Sequence, residues 1–410
     1  MDFDYGIIGG GPAGYTAGMK LAQKGHSVVI FEKEHLGGTC LNKGCIPTKS
    51  LLHSSEQYAQ LNKLSEYGIE IEVKSFDFAK VAEKRDKTVE KIRKSLELAV
   101  KNSGAKVVYA EANIKNKNTI IADSQEYSVK NIILATGSKP RELNGLEFDG
   151  EFILSSDDVL KLDALPKSVL IIGSGAIGIE WARIFSNYGV DVSIVELAEH
   201  LIPLADIEVS KRIERIFKQK KIKYFLADSI ATIENKTVSL RSGNIINPDF
   251  ILSAVGRVPV LFNNIETDVI GDACGEVQLA HYAITQGLNL AENILVKPEK
   301  TLIPSVIYGE PEIAWIGLRE QDCDETCEKY TIPITALGKS WCDDSTEGFI
   351  KLLIKNNFIV GCHIVSKEAS ALIHQVLIAM QNKISISDLK KVCFAHPTYS
   401  EGIFELIQRI

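Results

Sequence analysis

Cys40 and Cys45 lie close together in the glycine-rich run Gly37-Gly38-Thr39-Cys40-Leu41-Asn42-Lys43-Gly44-Cys45-Ile46-Pro47-Thr48-Lys49. Two thiols this near can trade a dithiol for a disulfide, two electrons at a time. The run comes shortly after a complete dinucleotide-binding pattern, a placement that suits a disulfide opening and closing beside a redox cofactor. A disulfide needs its Cα atoms within about 7 Å. Positions i and i+5 of an undistorted helix face different ways, so the backbone must depart from a helix here. Asn42 and Gly44 are placed to supply the departure, and Pro47 to start the regular helix that follows. A thiol at a helix N-terminus ionises more readily, which makes thiolate available near neutral pH. On the residues alone, a structural disulfide or two idle buried thiols are the alternatives. Eight cysteines in 410 residues are no secreted disulfide framework, and in a reducing compartment a close pair is more often catalytic.

The elements that would position this pair are legible from apolar periodicity. Residues 4–9 read as a strand, 12–25 as a helix and 27–32 as a second strand, opening on Gly9-Gly10-Gly11-Pro12-Ala13-Gly14. The pattern returns at Ser168 to Ile172, followed by Gly173-Ser174-Gly175-Ala176-Ile177-Gly178, a helix to about Tyr188 and a strand over Val190 to Glu196. Glu32 lies 23 positions after Gly9, and Glu196 lies 23 after Gly173. One such fingerprint is a weak signal; two with strand, helix and acid at the same offset are strong. In each, the first glycine (Gly9, Gly173) allows the tight turn. The second (Gly11, Gly175) lets a pyrophosphate approach the backbone, and the third (Gly14, Gly178) lets helix and strand pack closely. The helix N-terminus then offers free N–H groups to phosphates. Glu32 and Glu196 end their second strands, where a carboxylate can accept from ribose hydroxyls. Glu196 would repel a 2′-phosphate, and Leu197-Ala198-Glu199-His200 supply no Arg or Lys to receive one, so the second loop favours NAD over NADP.

Between the two units, residues 48–66 and 76–103 read as long amphipathic helices. Ala105 to Val129 reads as a β-meander, and Ile132 to Ala135 as a buried strand ending in Thr136-Gly137. Leu302-Ile303-Pro304-Ser305 marks a boundary, followed by strands at 350–354 and 358–365, a helix at 367–382 and a C-terminal helix. The length allows two to four domains. The expectation is an α/β chain with two Rossmann-like dinucleotide-binding domains, 1–141 with 257–302 and 142–256, and a C-terminal α+β domain at 303–410. A net charge of −7 without a long basic run argues against nucleic acid. No apolar run approaches membrane-spanning length. The chain enters a strand almost at once, leaving no room for a signal or transit peptide, so the expected location is the cytoplasm.

The cysteine run resembles the FAD- and pyridine-nucleotide-dependent disulfide oxidoreductases, the dihydrolipoamide dehydrogenase branch in particular. The resemblance extends from Tyr5 to about Ile407, sharpest at the cysteine run, both fingerprints, Ile303 to Gly317, and His396-Pro397-Thr398-Tyr399-Ser400-Glu401. It implies FAD on the first loop and NAD on the second. Ala135-Thr136-Gly137 and Gly271-Asp272 match segments that approach the flavin nucleotide, Gly256 lies in the Gly256-Arg257-Val258-Pro259 run, and Ala280 and His281 match a helix start near the flavin. It makes Cys40 the interchange thiol and Cys45 the thiol facing the flavin. Lys49 matches a lysine near the flavin's hydride-accepting nitrogen, and Glu180 its acidic partner. His396 would take the proton of a dithiol substrate while Glu401 orients its ring; free imidazole titrates near neutral pH, which suits the task. The resemblance also implies that this pair acts in the other subunit of a homodimer, with residues 303–410 forming most of the interface.

One departure stands out: only eleven residues separate Pro259 from Gly271, where the family has extra strands, which puts the edge of the FAD domain in question. The implied activity is NAD-dependent oxidation of dihydrolipoamide carried by a lipoyl domain or lipoylated protein of a 2-oxoacid dehydrogenase or glycine-cleavage system. Two other readings stay open: an NADH-dependent reductase of another disulfide or acceptor, and a non-catalytic binding subunit that has lost its flavin. Cys323 and Cys327 could share a helical face, but no His or third Cys lies near enough in sequence to complete a zinc site. No metal site is expected. Cys274, Cys342, Cys362 and Cys393 read as small apolar residues.

Overall fold

In the computed structural model, which describes residues 1–261, 267–294 and 299–410, the first βαβ unit comprises β1 (Phe3–Ile8), α1 (Pro12–Gln23) and β2 (Val28–Glu32). β2 is Val-Val-Ile-Phe-Glu and buried at every position, as a strand covered on both faces must be. Two consecutive helices, α2 (Gly38–Lys43) and α3 (Cys45–Gln60), precede the long α4 (Phe78–Ser103). The Asp77 carboxylate caps α4 by accepting the N–H groups of Ala79 and Lys80, and Gly104 ends it at a φ of 92°. Strands β3 (Lys106–Tyr109), β4 (Ala112–Asn116), β5 (Thr119–Ala122), β6 (Gln125–Leu134) and β7 (Ser138–Pro140) follow. The sheet runs β3-β2-β1-β6-β5-β4. Its first four strands are parallel, and β4, β5 and β6 form an antiparallel meander.

β8 (Ile153–Leu154) and α5 (Ser156–Val159) lead into the second unit: β9 (Ser168–Ile172), α6 (Ala176–Asn187), β10 (Asp191–Val195), α7 (Ile207–Gln219) and β11 (Lys223–Phe225). After a small antiparallel sheet of β12 (Ile230–Glu234), β13 (Thr237–Leu240) and β14 (Ile245–Ile246), β15 (Phe250–Ser253) rejoins it in the parallel order β11-β10-β9-β15-β8. The chain then returns to the first unit. β16 (Arg257–Pro259) pairs with β7, β17 (Asp268–Val269) pairs with β6, and α8 (Ala280–Ala291) packs on α1. One nucleotide-binding unit is thus built from both sides of the other. Residues 262–266, inside the short connection after Pro259, and 295–298 lie outside the described residues.

The C-terminal region is an antiparallel sheet of β18 (Ser305–Ile307), β19 (Glu312–Gly317), β20 (Glu328–Pro333), β21 (Phe349–Lys355) and β22 (Phe358–Ser366), ordered β18-β19-β22-β21-β20. α9 (Gly338–Cys342), α10 (Ala369–Gln381), α11 (Ile386–Leu389) and α12 (Glu401–Arg409) complete it. The largest apolar core joins all three regions: it holds Leu51 and Leu52 of α3, Trp181 and Ile184 of α6, and Ile307, Ile313 and Phe349 of the third sheet. Each such side chain contributes about 1.5–3 kcal/mol on burial, so α3 and α6 are held by the same packing as the sheets.

A buried ionic cluster reinforces the joint. The Lys351 ammonium, fully buried, lies 2.9 Å from Asp206 and 3.3 Å from Glu208, and also binds Glu320. These three carboxylates offer oxygens within 4.8 Å of one another, but the ammonium occupies their centre. Burial works to lower the Lys351 pKa, yet the bonds to Glu320 and Asp206 prevail and raise it.

Candidate active site

The cysteine run folds as two helices broken at one residue. Gly37, at φ 96°, caps α2, and the Asn42 amide donates to the carbonyls of Leu36 and Gly38, each at 3.0 Å. Gly44, at φ −150° and ψ −107°, ends the helical path, and a Cβ there would lie 3.0 Å from the Thr39 carbonyl oxygen. α3 begins at Cys45, two residues before the expected start at Pro47. Proline is tolerated there because the first-turn N–H groups have no helical partner to lose. The break brings the two thiols into hydrogen-bonding contact. That bond, aided by the Lys49 ammonium and opposed by burial, brings Cys45 down to about 7. The same bond, with burial, drives Cys40 far above the ordinary thiol range. In the dithiol form, Cys40 therefore keeps its proton and donates it toward a Cys45 thiolate.

Lys49, one turn beyond Cys45, donates to both Glu180 carboxylate oxygens at 2.8 and 2.7 Å, across a sequence separation of 131 residues. Two residues that the sequence reading did not single out complete this group. The Tyr308 N–H donates to Glu180 Oε1 at 3.1 Å, and the Lys49 ammonium stands 4.7 Å over the Tyr308 ring. The buried Arg183 guanidinium donates to the Tyr308 carbonyl at 2.8 Å. Arg183 does carry a signal, since it follows Glu180 by three positions and shares its helical face. Gly309, at φ 132°, leaves room for it: a Cβ would approach Arg183 Nη1 to 2.4 Å.

A second network reaches the other side of the turn. Ser138 Oγ donates to Asp272 at 2.6 Å and accepts from Arg257 Nε at 2.8 Å; Arg257 Nη2 reaches Thr39 Oγ1 at 3.5 Å, beside Cys40. The Asp272 charge helps to raise Cys40. Arg257, whose role no spacing marks, thus links β16, β7 and α2. Thr136 Oγ1 donates to the Val260 carbonyl, whose N–H returns to the Gly137 carbonyl at 2.9 Å. Gly256 and Gly271 adopt φ of 99° and 73°, and the Gly271 N–H donates to Gln286 at 2.7 Å. Ala280 opens α8 with no side-chain cap. His281 Nε2 lies 2.9 Å from the Pro304 carbonyl oxygen, and burial lowers its pKa.

The two glycine loops repeat one another in detail. Gly9 and Gly173 have φ of 108° and 93°. A Cβ on Gly14 or Gly178 would stand 1.9 or 2.1 Å from the carbonyl oxygen of Gly9 or Gly173. By contrast, a Cβ on Gly11 would meet only the Gly38 Cα at 3.8 Å, and one on Gly175 nothing within 4 Å. Those second glycines face open space before helices α1 and α6, whose N-termini carry no side-chain cap. A pyrophosphate fits there. The acids do more than expected: Glu32 accepts from the Gly10 and Glu34 N–H groups, both at 2.8 Å. Glu196 accepts from the Ser174 and Ala198 N–H groups at 2.7 and 2.9 Å. Each carboxylate pins its own loop before any ribose arrives.

His396 Nδ1 lies 2.8 Å from Glu401 Oε1, and Glu401 Oε2 accepts the Thr398 N–H at 2.9 Å. The imidazole lowers the Glu401 pKa first, the Thr398 N–H second. The His396 side chain is 78% exposed. Among the described residues its hydrogen bond is to Glu401, not to the cysteine turn of its own chain.

The other cysteines depart from expectation. Cys362 is buried as a small apolar residue, but Cys342 and Cys393 are exposed. Cys323 and Cys327 share a turn, not a helical face.

Comparison with known proteins accounts for nearly the whole chain. Residues 3–287 match the pyridine nucleotide-disulphide oxidoreductase family, and residues 303–407 its dimerisation domain. The dihydrolipoyl dehydrogenase of Bacillus subtilis is 31% identical over 98% of this chain and 97% of its own. The mitochondrial enzyme of Pisum sativum is 32% identical over 98% and 90%. The leghemoglobin reductase of Vigna unguiculata is 31% identical over 98% and 86%. Among solved structures, LpdA from Mycobacterium tuberculosis shares the fold at a TM-score of 0.91 with 21% identity, covering 99% of both chains. The HOCl-induced flavoprotein disulfide reductase RclA from Escherichia coli does so at 0.86 with 22% identity, again over 99% of both.

Proposed function

The chain belongs to the pyridine nucleotide-disulphide oxidoreductases, and from that premise we propose that it is an NAD-dependent dihydrolipoyl dehydrogenase acting through Cys40 and Cys45. FAD and NAD(H) are its cofactors. We assign FAD to the Gly9–Gly14 loop and NAD to the Gly173–Gly178 loop, with residues 1–141 and 257–302 forming the FAD domain, 142–256 the NAD domain and 303–410 the interface of a homodimer. The observation that carries the choice of substrate lies in the second loop. Glu196 is turned into that loop, and the residues after it supply no Arg or Lys for the 2′-phosphate that a glutathione-type, NADPH-linked reductase would need.

His396 of one subunit, its ring held by Glu401, takes a proton from dihydrolipoamide. The resulting thiolate attacks Cys40 Sγ in the Cys40–Cys45 disulfide of the other subunit. Cys45 leaves as thiolate, its charge favoured by the nearby Lys49 ammonium. The second lipoyl thiol then displaces Cys40, closing the lipoamide disulfide and leaving Cys40 protonated. FAD, when bound, carries the electron pair from the dithiol to NAD⁺. Lys49, locked to Glu180, holds positive charge beside the Cys45 thiolate. The lipoyl group would arrive on a lipoylated protein of a 2-oxoacid dehydrogenase or glycine-cleavage system.

Cys40→Ser should abolish lipoamide turnover, by at least about 100-fold, while the purified protein keeps its FAD absorbance. Wild-type turnover in that variant would refute the assignment. A second reading, an NADH-dependent reductase of another disulfide or acceptor, is favoured by the leghemoglobin reductase among the relatives. Comparing kcat/KM for lipoamide, glutathione disulfide and dye acceptors separates the two.

A further inference from the structure

The turn Cys323-Asp324-Glu325-Thr326-Cys327 joins the 3-10 turn Glu320–Asp322 to β20. The Asp324 side chain accepts the Thr326 N–H at 3.0 Å and the Thr326 hydroxyl at 2.6 Å. The Cys327 N–H then donates to the Asp324 carbonyl at 3.1 Å. This folding returns Cys327 to Cys323, and the two sulfur atoms lie 2.7 Å apart. Both flanks are anchored. On one side the Glu320 N–H donates to the buried Asp206 at 2.8 Å, and Arg319 pairs with Asp322 at 2.6 Å. On the other, β20 is paired along its length with β21. The sulfurs are therefore held together by the backbone, not by a chance rotamer.

Both thiols are part-exposed, so a small molecule can reach them. The Lys355 ammonium, 2.5 Å from Asp324, also feels the charge of both sulfurs. Burial first, then the contact with Cys327 and the charges of Asp324 and Asp206, push Cys323 up to about 12. A metal is the poorer occupant. The only carboxylate within the turn's hydrogen-bonded core, Asp324, is already bound by Thr326 and Lys355, and zinc wants four ligands with no competing ammonium.

We propose that Cys323 and Cys327 form a second redox site, a dithiol that small hydroperoxides oxidise to a disulfide. One thiolate attacks the distal peroxide oxygen; the O–O bond breaks, an alcohol (water, for hydrogen peroxide) leaves, and a sulfenic acid remains. The other sulfur attacks that sulfur, the S–O bond breaks and water leaves. The pair loses two electrons and two protons, and the hydroperoxide gains them. External dithiols reverse the reaction by exchange.

The site can be read in the intact flavoprotein. Trypsin cleaves after Arg319 and Lys329, releasing a peptide of residues 320–329 that contains these two cysteines and no other. After brief hydrogen peroxide and alkylation, this peptide should be lighter by two hydrogens and carry no alkyl group. Dithiothreitol should restore two alkylatable thiols. Its oxidation should outpace that of the exposed, solitary Cys342 and Cys393 by about tenfold or more, since the partner sulfur is already in place. In Cys323→Ser, Cys327 should stop at a sulfenic acid trapped by dimedone, while lipoamide turnover stays unchanged. Oxidation no faster than at Cys342 and Cys393, accumulation of sulfinic acid without disulfide in the wild type, or stoichiometric zinc in the purified protein would each overturn the proposal.

Discussion

One hydrogen bond between two thiols gives the Cys40–Cys45 pair its polarity. Cys40 and Cys45 both sit on helices, yet one is raised and the other lowered because their mutual hydrogen bond acts on them in opposite senses; the Lys49 charge lowers both. In the reduced enzyme, alkylation of Cys45, followed on its tryptic peptide, should rise with pH through a midpoint of about 7. Cys40→Ala should move that midpoint upward most, because it removes the largest stabilising contact, and Lys49→Met should move it upward less. An unmoved midpoint in both variants would show that neither group sets the ionisation. On the proposed mechanism, His396→Gln removes the proton acceptor and should lower kcat by about 10²–10⁴. Glu401→Gln keeps the ring but loosens its orientation through Nδ1. It should lower kcat by a smaller factor, with KM for lipoamide unchanged; a change in KM alone would count against an orienting role.

The two glycine loops show one element built twice on the same backbone. Their first and third glycines are demanded by the fold, since any Cβ meets a carbonyl oxygen. Their second glycines are demanded only by what binds. Gly178→Ala should therefore destabilise the protein by about 1–3 kcal/mol in thermal or denaturant unfolding. Gly175→Ala should leave the melting temperature unchanged, because nothing lies within 4 Å of the added methyl. It should instead raise KM for NAD⁺, without loss of FAD. Loss of FAD and an unchanged KM in that variant would reverse the assignment of the loops. The break between α2 and α3 is the other decisive element: Gly44 lets two helices meet at an angle that a continuous helix would forbid, and the thiols meet because of it.

At the scale of the molecule, side chains from distant segments are brought together by one shared core and one buried ionic joint. Lys49, Glu180 and Tyr308 come from three regions of the chain, and the apolar cluster under them draws on the same three. Lys351→Met should test the joint. It strands the carboxylate of Asp206, whose side chain is fully buried, and should cost about 3–5 kcal/mol in denaturant unfolding at neutral pH. Burial tends to raise the Asp206 pKa, but His363, the Glu320 N–H and Lys351 together hold it below its ordinary value. Its stabilisation is therefore present above the unfolded carboxylate range and lost as pH falls through the lowered value. The difference between wild type and variant should accordingly shrink in acid. A constant difference from pH 3 to 8 would mean that the cost is packing, not charge.

Local chemistry in this chain is legible from residue order alone. The fingerprints, the cysteine spacing, the meander and the His396–Glu401 run are short patterns whose backbone demands, a positive φ or a helix start or a hydrogen bond over five residues, depend on neighbours in sequence. The remainder depends on residues far apart in the chain. Arg257 and Tyr308 lie in runs that match the family, and Arg183 shares a helical face with Glu180, but nothing in those patterns gives their partners; packing decides them. Glu32 and Glu196 are visible as acids, but not as struts of their own loops. Cys323 and Cys327 read as bystanders because a turn held by Asp324 cannot be told from a helical face by spacing alone. Sequence patterns report which atoms are available; desolvation and long-range contact decide which of them carry charge and which of them touch.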